Sequence, residues 1–512
     1  MRLAFTLFAS LLALPTLVHA QTSKPPIDKG TVLLEVPAQG KTLRITLGQM
    51  MSSLHVPGVS VAVIDDYRIT WAGGIGTTRE QGGTPITTET PFQAASISKP
   101  VTAAGALWLV SQGKLDLDQD VNERLVQWKV PANDLTKTQK VTLRRLLSHN
   151  AGVNVHGFAG YEAGKPMPTL RQMLDGEAPS NSPAIRVTAT PGTLCRYSGG
   201  GFVIARALME DVSKQPFDEF MQQHVLTPAG MKHSTFRMEL SPADAARAPT
   251  GTSVAGKSLP GQYHRYPEMA PDSLWTTPSD LALFAIEIAR SAQGKSNHVL
   301  PQAMVQEMLK PQCEGDGDRI GLGFGLRWEQ TRGTFAHNGG NDGFQSTLMM
   351  DANTGKGLAV MGNGDGFSGI GEAVMRVIGE RYGWHATFRD PDLGDIVLVI
   401  AGVKDLDAAL GAYRQAKASG FKGYRHGPGT LNTLGYQQLM RKDTASAIRV
   451  FAMNVAEFPK DANAYDSLGE AYMAAGQREM AIQNYEKSLT LNPDNSNAEE
   501  QLKTLRKGSQ ND

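Results

Sequence analysis

Runs of apolar and β-branched residues at both ends of a long first region predict strands. Residues 59–64 and 69–72 form such a pair, separated by a short polar turn at Asp65 and Asp66. Strand patterns return much later along the chain, and a helical pattern follows them at residues 370–382. These later strand patterns occupy residues 323–328, 344–350 and 357–361.

Between the two groups of strands, residues 102–292 carry mainly helical patterns that are interrupted by Pro and Gly. Strands at both ends with helices between them predict an α/β (α+β) domain. We expect a mostly antiparallel sheet with flanking helices and a separate helical lobe. This domain is predicted to occupy residues 21–385.

The last hundred residues have a different sequence pattern, which repeats every 34 residues. Leu434, Gly435, Ala447, Phe451 and Pro459 recur as Leu468, Gly469, Ala481, Tyr485 and Pro493. This period and pattern are typical of tetratricopeptide repeats, in which each unit is a pair of amphipathic helices. We predict an all-α repeat domain at residues 405–507, able to bind a protein partner, and a linker at residues 386–404.

The first twenty residues have the composition of a secretory signal peptide. Arg2 precedes an apolar stretch, and small residues ending at Ala20 suit cleavage. The apolar stretch is short and contains Pro15, which favours a cleaved signal over a membrane anchor. We expect a periplasmic or secreted protein without a transmembrane anchor.

Charge and cysteine content exclude some classes of function. Lys plus Arg balance Asp plus Glu at 50 each, so no net field attracts nucleic acid. The sequence has no H-E-x-x-H motif and no Cys/His cluster, so neither a metal nor another cofactor is expected. Cys195 and Cys313 either form a disulfide or remain separate buried thiols, and the sequence leaves both possibilities open.

Ser96 and Lys99 are the first candidate catalytic residues. They lie three residues apart at the start of an apolar, Ala-rich helical pattern. This spacing places both side chains on one helix face, where an uncharged lysine amine can accept the serine proton. The same S-x-x-K spacing occurs at Ser111 and at Ser419. Only Ser96 follows a predicted strand and opens a helix, so Ser96 is the candidate nucleophile.

Two glycine-containing segments are candidates to complete the site. Tyr197 precedes a run of glycines, and a tyrosine beside a lysine cation can act as a general base. His337, Asn338, Gly339 and Gly340 lead directly into the strand pattern at residues 344–350. A backbone N–H at such a strand edge can contact a ligand. His149, at the end of another helical pattern, is assigned a structural role.

The order of these segments resembles that of class C serine β-lactamases, penicillin-binding carboxypeptidases, D-aminopeptidases and related esterases. The resemblance covers roughly residues 40–385. It is carried by residues 56–63, 96–99, 146–149, 191–197, 228–231, 274–281 and 337–340.

The resemblance implies specific roles. Ser96 would be the acylated nucleophile, and Lys99 would share proton transfer with Tyr197. The backbone N–H groups of Ser96 and Gly340 would form the oxyanion hole. His337, Asn338 and Gly339 would line the substrate site.

Two departures from the family pattern bear on the substrate. Tyr197-Ser198-Gly199 stands where relatives commonly have Tyr-x-Asn, and His337-Asn338-Gly339 stands where they have Lys-Thr-Gly. Because a histidine is mostly neutral near pH 7, a substrate carboxylate would lack the positively charged partner that the lysine of the relatives provides. We expect ester or amide hydrolysis, with β-lactam or D-amino-acid substrates as alternatives. A low-rate β-lactamase, a D-alanyl-D-alanine carboxypeptidase and a catalytically weak binding scaffold all remain open.

Overall fold

The computed structural model of the chain describes residues 25–38, 41–315, 319–327, 333–384 and 390–507. The predicted signal peptide at residues 1–20 lies outside these ranges. Across the ranges described, no helix combines the length and the apolar content that a membrane crossing requires.

The strands of the described residues are β1 Val32–Ala38, β2 Lys41–Thr46, β3 Gly58–Asp65, β4 Arg68–Gly76, β5 Phe92–Gln93, β6 Trp275–Thr276, β7 Cys313–Glu314, β8 Arg319–Ile320, β9 Gly325–Arg327, β10 Thr334–Asn341, β11 Phe344–Asp351 and β12 Lys356–Gly362. The helices up to the predicted linker are α1 Leu47–Ser53, α2 Ser98–Ser111, α3 Leu143–Leu147, α4 Leu170–Asp175, α5 Gly199–Ser213, α6 Phe217–Met221, α7 Pro242–Arg247, α8 Pro278–Ala292, α9 Gln302–Met308 and α10 Phe367–Arg381. Those that follow are α11 Leu393–Val403, α12 Leu406–Ala418, α13 Pro428–Met440, α14 Thr444–Glu457, α15 Ala462–Ala474, α16 Arg478–Leu491 and α17 Ser496–Lys507.

The described strands include one eight-stranded antiparallel sheet in the order β4-β3-β12-β11-β10-β9-β8-β7. The sheet joins β3 and β4 from the start of the domain to strands from its end. This arrangement confirms the predicted antiparallel sheet assembled from distant segments. β10 and β11 form its central hairpin, which places residues 337–340 beside Ser96.

Burial on both faces explains the apolar character of β3. Val59, Val61 and Val63 contribute to a core shared with α1 and α10, whereas Ala62 and Ile64 face a second core shared with α2 and α8. Alternate residues of a strand point to opposite faces of a sheet, so a strand between two helical layers needs apolar residues throughout.

The predicted linker at residues 386–404 is wrong over most of its length. Residues 393–403 form α11, which is buried against α1 and α13. Ile396, Val397, Val399 and Ile400 are each at most 2% exposed. A helix that is apolar on nearly every side lies within a core. α11 therefore joins the hydrophobic core of the sheet domain to that of the following helices.

The C-terminal helices form the two predicted helical pairs, α13 with α14 and α15 with α16. Gly435 and Gly469 occupy the positions where the helices cross. A β-carbon on Gly435 would lie 2.5 Å from the Phe451 ring, and one on Gly469 would lie 3.1 Å from the Tyr485 ring. The small residues of the repeat pattern therefore permit close helix packing, and α12 and α17 flank the pairs.

Cys195 and Cys313 form a disulfide, with their Cα atoms 5.9 Å apart. The bond connects the segment before Tyr197 to β7, at one end of the large sheet. It closes a loop across a sequence separation of 118 residues. A cross-link over so long a loop restricts the unfolded chain strongly.

Replacing both cysteines by Ser should lower the free energy of unfolding by about 2–5 kcal/mol, because the unfolded chain regains this freedom. Denaturant titration of the variant and the wild type measures the difference. Adding a reductant to the wild type should reproduce the shift, and a midpoint unaffected by both treatments would contradict the prediction.

Candidate active site

Ser96 lies in a tight turn between a short strand and a buried helix. β5 ends at Gln93, residues 95–97 form a 3-10 turn, and α2 begins at Ser98. Ala95, directly before Ser96, has a left-handed φ of 48°. The turn directs Ser96 into an open cleft of about 560 Å³. Ser96 thus precedes the helix rather than opening it, but its hydroxyl reaches the cleft as predicted.

Lys99 contacts Ser96 from the first turn of α2. The Lys99 Nζ lies 2.9 Å from the Ser96 Oγ. It also donates to the Pro271 carbonyl oxygen at 3.1 Å and to the Asp272 Oδ1 at 3.3 Å. Lys99 is fully buried, although its helix is otherwise lined by apolar and small side chains.

Asp272 was not predicted from the sequence as part of the site. It follows a left-handed residue, Met269, in the loop before β6, and it is 4% exposed. Its Oδ1 also accepts a hydrogen bond from the Ser96 Oγ at 3.2 Å. No motif or spacing relates residues 176 positions apart in the chain, so only the tertiary structure reveals this contact.

Asp272 changes the expected charge of Lys99. Burial alone would lower the pKa of Lys99, but Asp272 and the nearby Tyr197 hydroxyl raise it above its ordinary value. Lys99 is therefore an ammonium ion in the resting site. This finding differs from the sequence-based expectation that an uncharged amine faces Ser96.

Tyr197 lines the cleft and lies beside Lys99. Its ring centre is 4.9 Å from the Lys99 Nζ and 4.3 Å from the ring centre of His149. The next residue, Ser198, caps α5, and its N–H donates to the His149 Nδ1 at 3.0 Å. His149 therefore orients the segment that carries Tyr197, in agreement with the structural role expected from its position.

The β10–β11 hairpin forms the opposite wall of the cleft. A β-carbon on Gly339 would lie 2.1 Å from the Ala94 carbonyl oxygen, so only glycine permits this approach. Asn341 and Phe344 close a two-residue turn. Gly340 and Gln345 are then a pair without inter-strand hydrogen bonds, so the Gly340 N–H points away from β11. Gly340 also lines the cleft.

His337 and His149 are both neutral at pH 7. Burial and the neighbouring Lys99 charge lower the pKa of His337 to about 4. The same causes hold the pKa of His149 well below its usual range. Neither Lys nor Arg is present among the described residues that line the cleft, which include His156, Phe324, Asn338 and Gln345.

The other two S-x-x-K sequences lack these surroundings. The Ser111 hydroxyl donates to the Trp108 carbonyl oxygen, and the Ser419 hydroxyl donates to the Ala416 carbonyl oxygen, both at 2.7 Å. Each is a local bond to the carbonyl group three residues earlier in the chain. Neither serine is among the described residues of the cleft.

Comparison with known proteins identifies the family of the first domain. A beta-lactamase family model matches residues 43–378, more than half of the chain. This chain belongs to the β-lactamase family. A tetratricopeptide repeat model matches residues 462–495, the second of the predicted repeats. Together these matches confirm the family resemblance of the first domain and the C-terminal repeats.

Relatives of this β-lactamase-family chain are distant. It is 29% identical over 225 residues to the unguisins hydrolase ungD' of Aspergillus campestris (strain IBT 28561), covering 42% of this chain and 39% of that protein. It is 29% identical over 180 residues to penicillin-binding protein 4 of Amycolatopsis lactamdurans, covering 35% of this chain and 45% of that protein. The chain thus spans less than half the length of these two curated relatives.

A solved structure shares the fold. The octameric penicillin-binding protein homologue from Pyrococcus abyssi aligns with a TM-score of 0.56 at 22% sequence identity. The alignment covers 66% of this chain and 76% of the other. The β-lactamase-type fold, with an antiparallel sheet and flanking helices, is therefore shared with penicillin-binding proteins.

Proposed function

We propose that this protein is an exported serine hydrolase that cleaves esters or small amides through an acyl-enzyme at Ser96. The observation that carries the proposal is the 2.9 Å contact between the Ser96 Oγ and the Lys99 Nζ at the edge of an open cleft. A serine hydroxyl becomes an effective nucleophile when an ionisable group at this distance accepts its proton.

The proposed reaction begins with attack of the Ser96 Oγ on the substrate carbonyl carbon. The backbone N–H groups of Ser96 and Gly340 would stabilise the oxygen that becomes negatively charged. One such donor contributes about 3–4 kcal/mol to transition-state stabilisation in serine hydrolases. The Tyr197 hydroxyl, beside the ammonium of Lys99, would donate a proton to the leaving group. Water would then hydrolyse the acyl-enzyme.

Charge in the cleft supports an uncharged substrate. His337 occupies the wall where the family's lysine would stand, and its low pKa leaves it without charge at pH 7. A substrate carboxylate at this wall would therefore be desolvated without gaining an ion pair. Neutral esters and amides avoid this desolvation cost. Ser96 and the groups around it would act in the same way on both.

Introducing a cation at this wall should shift the substrate preference. We expect His337→Lys to raise penicillin acylation relative to hydrolysis of a neutral p-nitrophenyl ester by about tenfold or more, because a hydrogen bond to a charged group contributes about 1.5–3 kcal/mol. Competition between a fluorescent penicillin and the ester measures the ratio. His337→Gln lacks the charge and should leave the ratio near the wild-type value. Equal ratios in both variants would argue against charge selection.

Similarity to penicillin-binding protein 4 favours a second candidate, a low-rate penicillin-binding carboxypeptidase or β-lactamase. The same Ser96 chemistry would serve it. Stoichiometric acylation of the wild type by a fluorescent penicillin, with slow release, would favour this candidate over an esterase.

Export and partner binding are further parts of the proposal. The Cys195–Cys313 disulfide suits an oxidising compartment such as the periplasm or the cell exterior, in line with the predicted signal peptide. The tetratricopeptide repeats offer a surface for a protein partner. Secretion of a tagged full-length chain, compared with one that lacks residues 1–20, tests the export.

A further inference from the structure

The contacts around the Lys99 amine identify which group can receive the Ser96 proton. An ammonium group has three N–H donors and no lone pair. In the structure the Lys99 Nζ has three acceptors within hydrogen-bond distance, the Ser96 Oγ, the Pro271 carbonyl oxygen and the Asp272 Oδ1. As an ammonium, Lys99 donates to these groups and has no lone pair with which to take the Ser96 proton, and the Tyr197 hydroxyl is a further hydrogen-bonding neighbour.

The Ser96 hydroxyl has one other partner. Since its oxygen already accepts from Lys99, its own hydrogen is free to be donated, and the Asp272 Oδ1 lies 3.2 Å away. The second carboxylate oxygen, Oδ2, is buried without a hydrogen-bond partner. Asp272 is held in place by its backbone, because the Asn341 Nδ2 donates to its carbonyl oxygen at 3.1 Å.

We propose that Asp272 is the general base that takes the Ser96 proton during acylation. The inference rests on the proposed serine hydrolase function and deepens it. As the Ser96 Oγ–H bond breaks, its proton passes to the Asp272 Oδ1 and a bond forms between Oγ and the substrate carbonyl carbon. When the bond to the leaving group breaks, the Tyr197 hydroxyl supplies the proton that the leaving group needs.

Lys99 restores the starting protonation states, because it lies between the two groups. It gives one proton to the Tyr197 phenolate and receives the proton held by Asp272, so no net proton is gained or lost. Its distances of 3.3 Å to the Asp272 Oδ1 and 4.9 Å to the Tyr197 ring centre place it within reach of both. Lys99 thus acts as a relay and a fixed positive charge.

The surroundings of Asp272 include further titratable groups. Glu268, in the same loop, is fully buried, and neither of its carboxylate oxygens has a hydrogen-bond partner. Burial and the Asp272 charge raise the pKa of Glu268 to about 8, so Glu268 is largely protonated at pH 7. The other groups that face Asp272 or its partner Lys99 are Tyr266, Tyr197, His149 and His337.

The direction of the effect of Asp272→Asn separates Asp272 from Lys99 as the base. If Asp272 is the base, the variant should lose about 10²–10⁴-fold in kcat/KM for a p-nitrophenyl ester, the usual range for a general base. If Lys99 is the base, removing the carboxylate frees the amine to lose its proton, and activity at pH 7 should stay equal or rise. Unchanged or increased activity of Asp272→Asn would overturn the proposal.

The conservative variant gives a readout that a merely structural role would not affect. Asp272→Glu retains a carboxylate, so it should keep part of the wild-type kcat/KM for the same ester. Asp272→Asn has nearly the size of the wild-type residue but no carboxylate, so its kcat/KM should lie well below that of Asp272→Glu. If Asp272→Asn fails to fold, a folded Asp272→Glu variant without activity would contradict the assignment.

A Ser96→Ala variant distinguishes failure of this inference from failure of the proposed function. Inactive Ser96→Ala combined with fully active Asp272→Asn would reject only the base assignment. An active Ser96→Ala variant would reject the serine hydrolase function itself. All variants are measured in the full chain, and their thermal midpoints are compared with that of the wild type.

Discussion

Ser96→Ala is expected to lower kcat/KM for short-chain p-nitrophenyl esters by roughly 10⁴–10⁶-fold, the range seen when a nucleophile that acts as part of a unit is removed. The variant keeps the cleft and the Gly340 N–H but has no oxygen to form the acyl-enzyme. Labelling by a fluorophosphonate probe should disappear with it. Steady-state kinetics and gel fluorescence of the labelled protein measure the two effects.

The chain provides matched controls for this experiment. Ser111 and Ser419 have the same S-x-x-K spacing, but their hydroxyls bond to carbonyl groups of their own helices. Ser111→Ala and Ser419→Ala should retain wild-type activity and labelling. Loss of activity in either control, or unchanged turnover in Ser96→Ala, would refute the assignment of the nucleophile.

Ending the chain after residue 392 is expected to unfold the β-lactamase-family domain. The truncation removes α11, whose buried Leu393, Ile396, Val397, Val399 and Ile400 complete the core beneath the sheet. Burial of these side chains contributes roughly 8–15 kcal/mol at about 1.5–3 kcal/mol each. Domains are stable by only about 5–15 kcal/mol in total. Soluble yield and thermal unfolding measure the loss.

A chain ending after residue 459 is the matched comparison. It keeps α11 to α14 and removes α15 to α17, whose buried residues contribute to two smaller clusters away from the sheet, one of them shared with α14. This chain should keep ester hydrolysis and most of the thermal stability. A fully stable, active chain ending at residue 392 would show that α11 is a dispensable linker after all.

The fold was largely predictable because its signals are local and periodic. The apolar run at residues 59–64, the later strand patterns and the 34-residue repeat each reflect one element and its burial. The predicted linker is the exception, since residues 393–403 are mostly apolar and form α11 rather than a connector. Its role depends on packing against α1 and α13, which come from opposite ends of the chain.

The Ser96–Lys99 pair follows from the sequence alone, since a separation of three residues brings two side chains together on any helical turn. It also indicated the segments with Tyr197 and residues 337–340, through motif order alone. The charge of Lys99, in contrast, depends on the folded chain, because Asp272 reaches it from a loop 173 positions away. Electrostatic effects act through space, and the order of residues along a chain does not specify which buried charges meet.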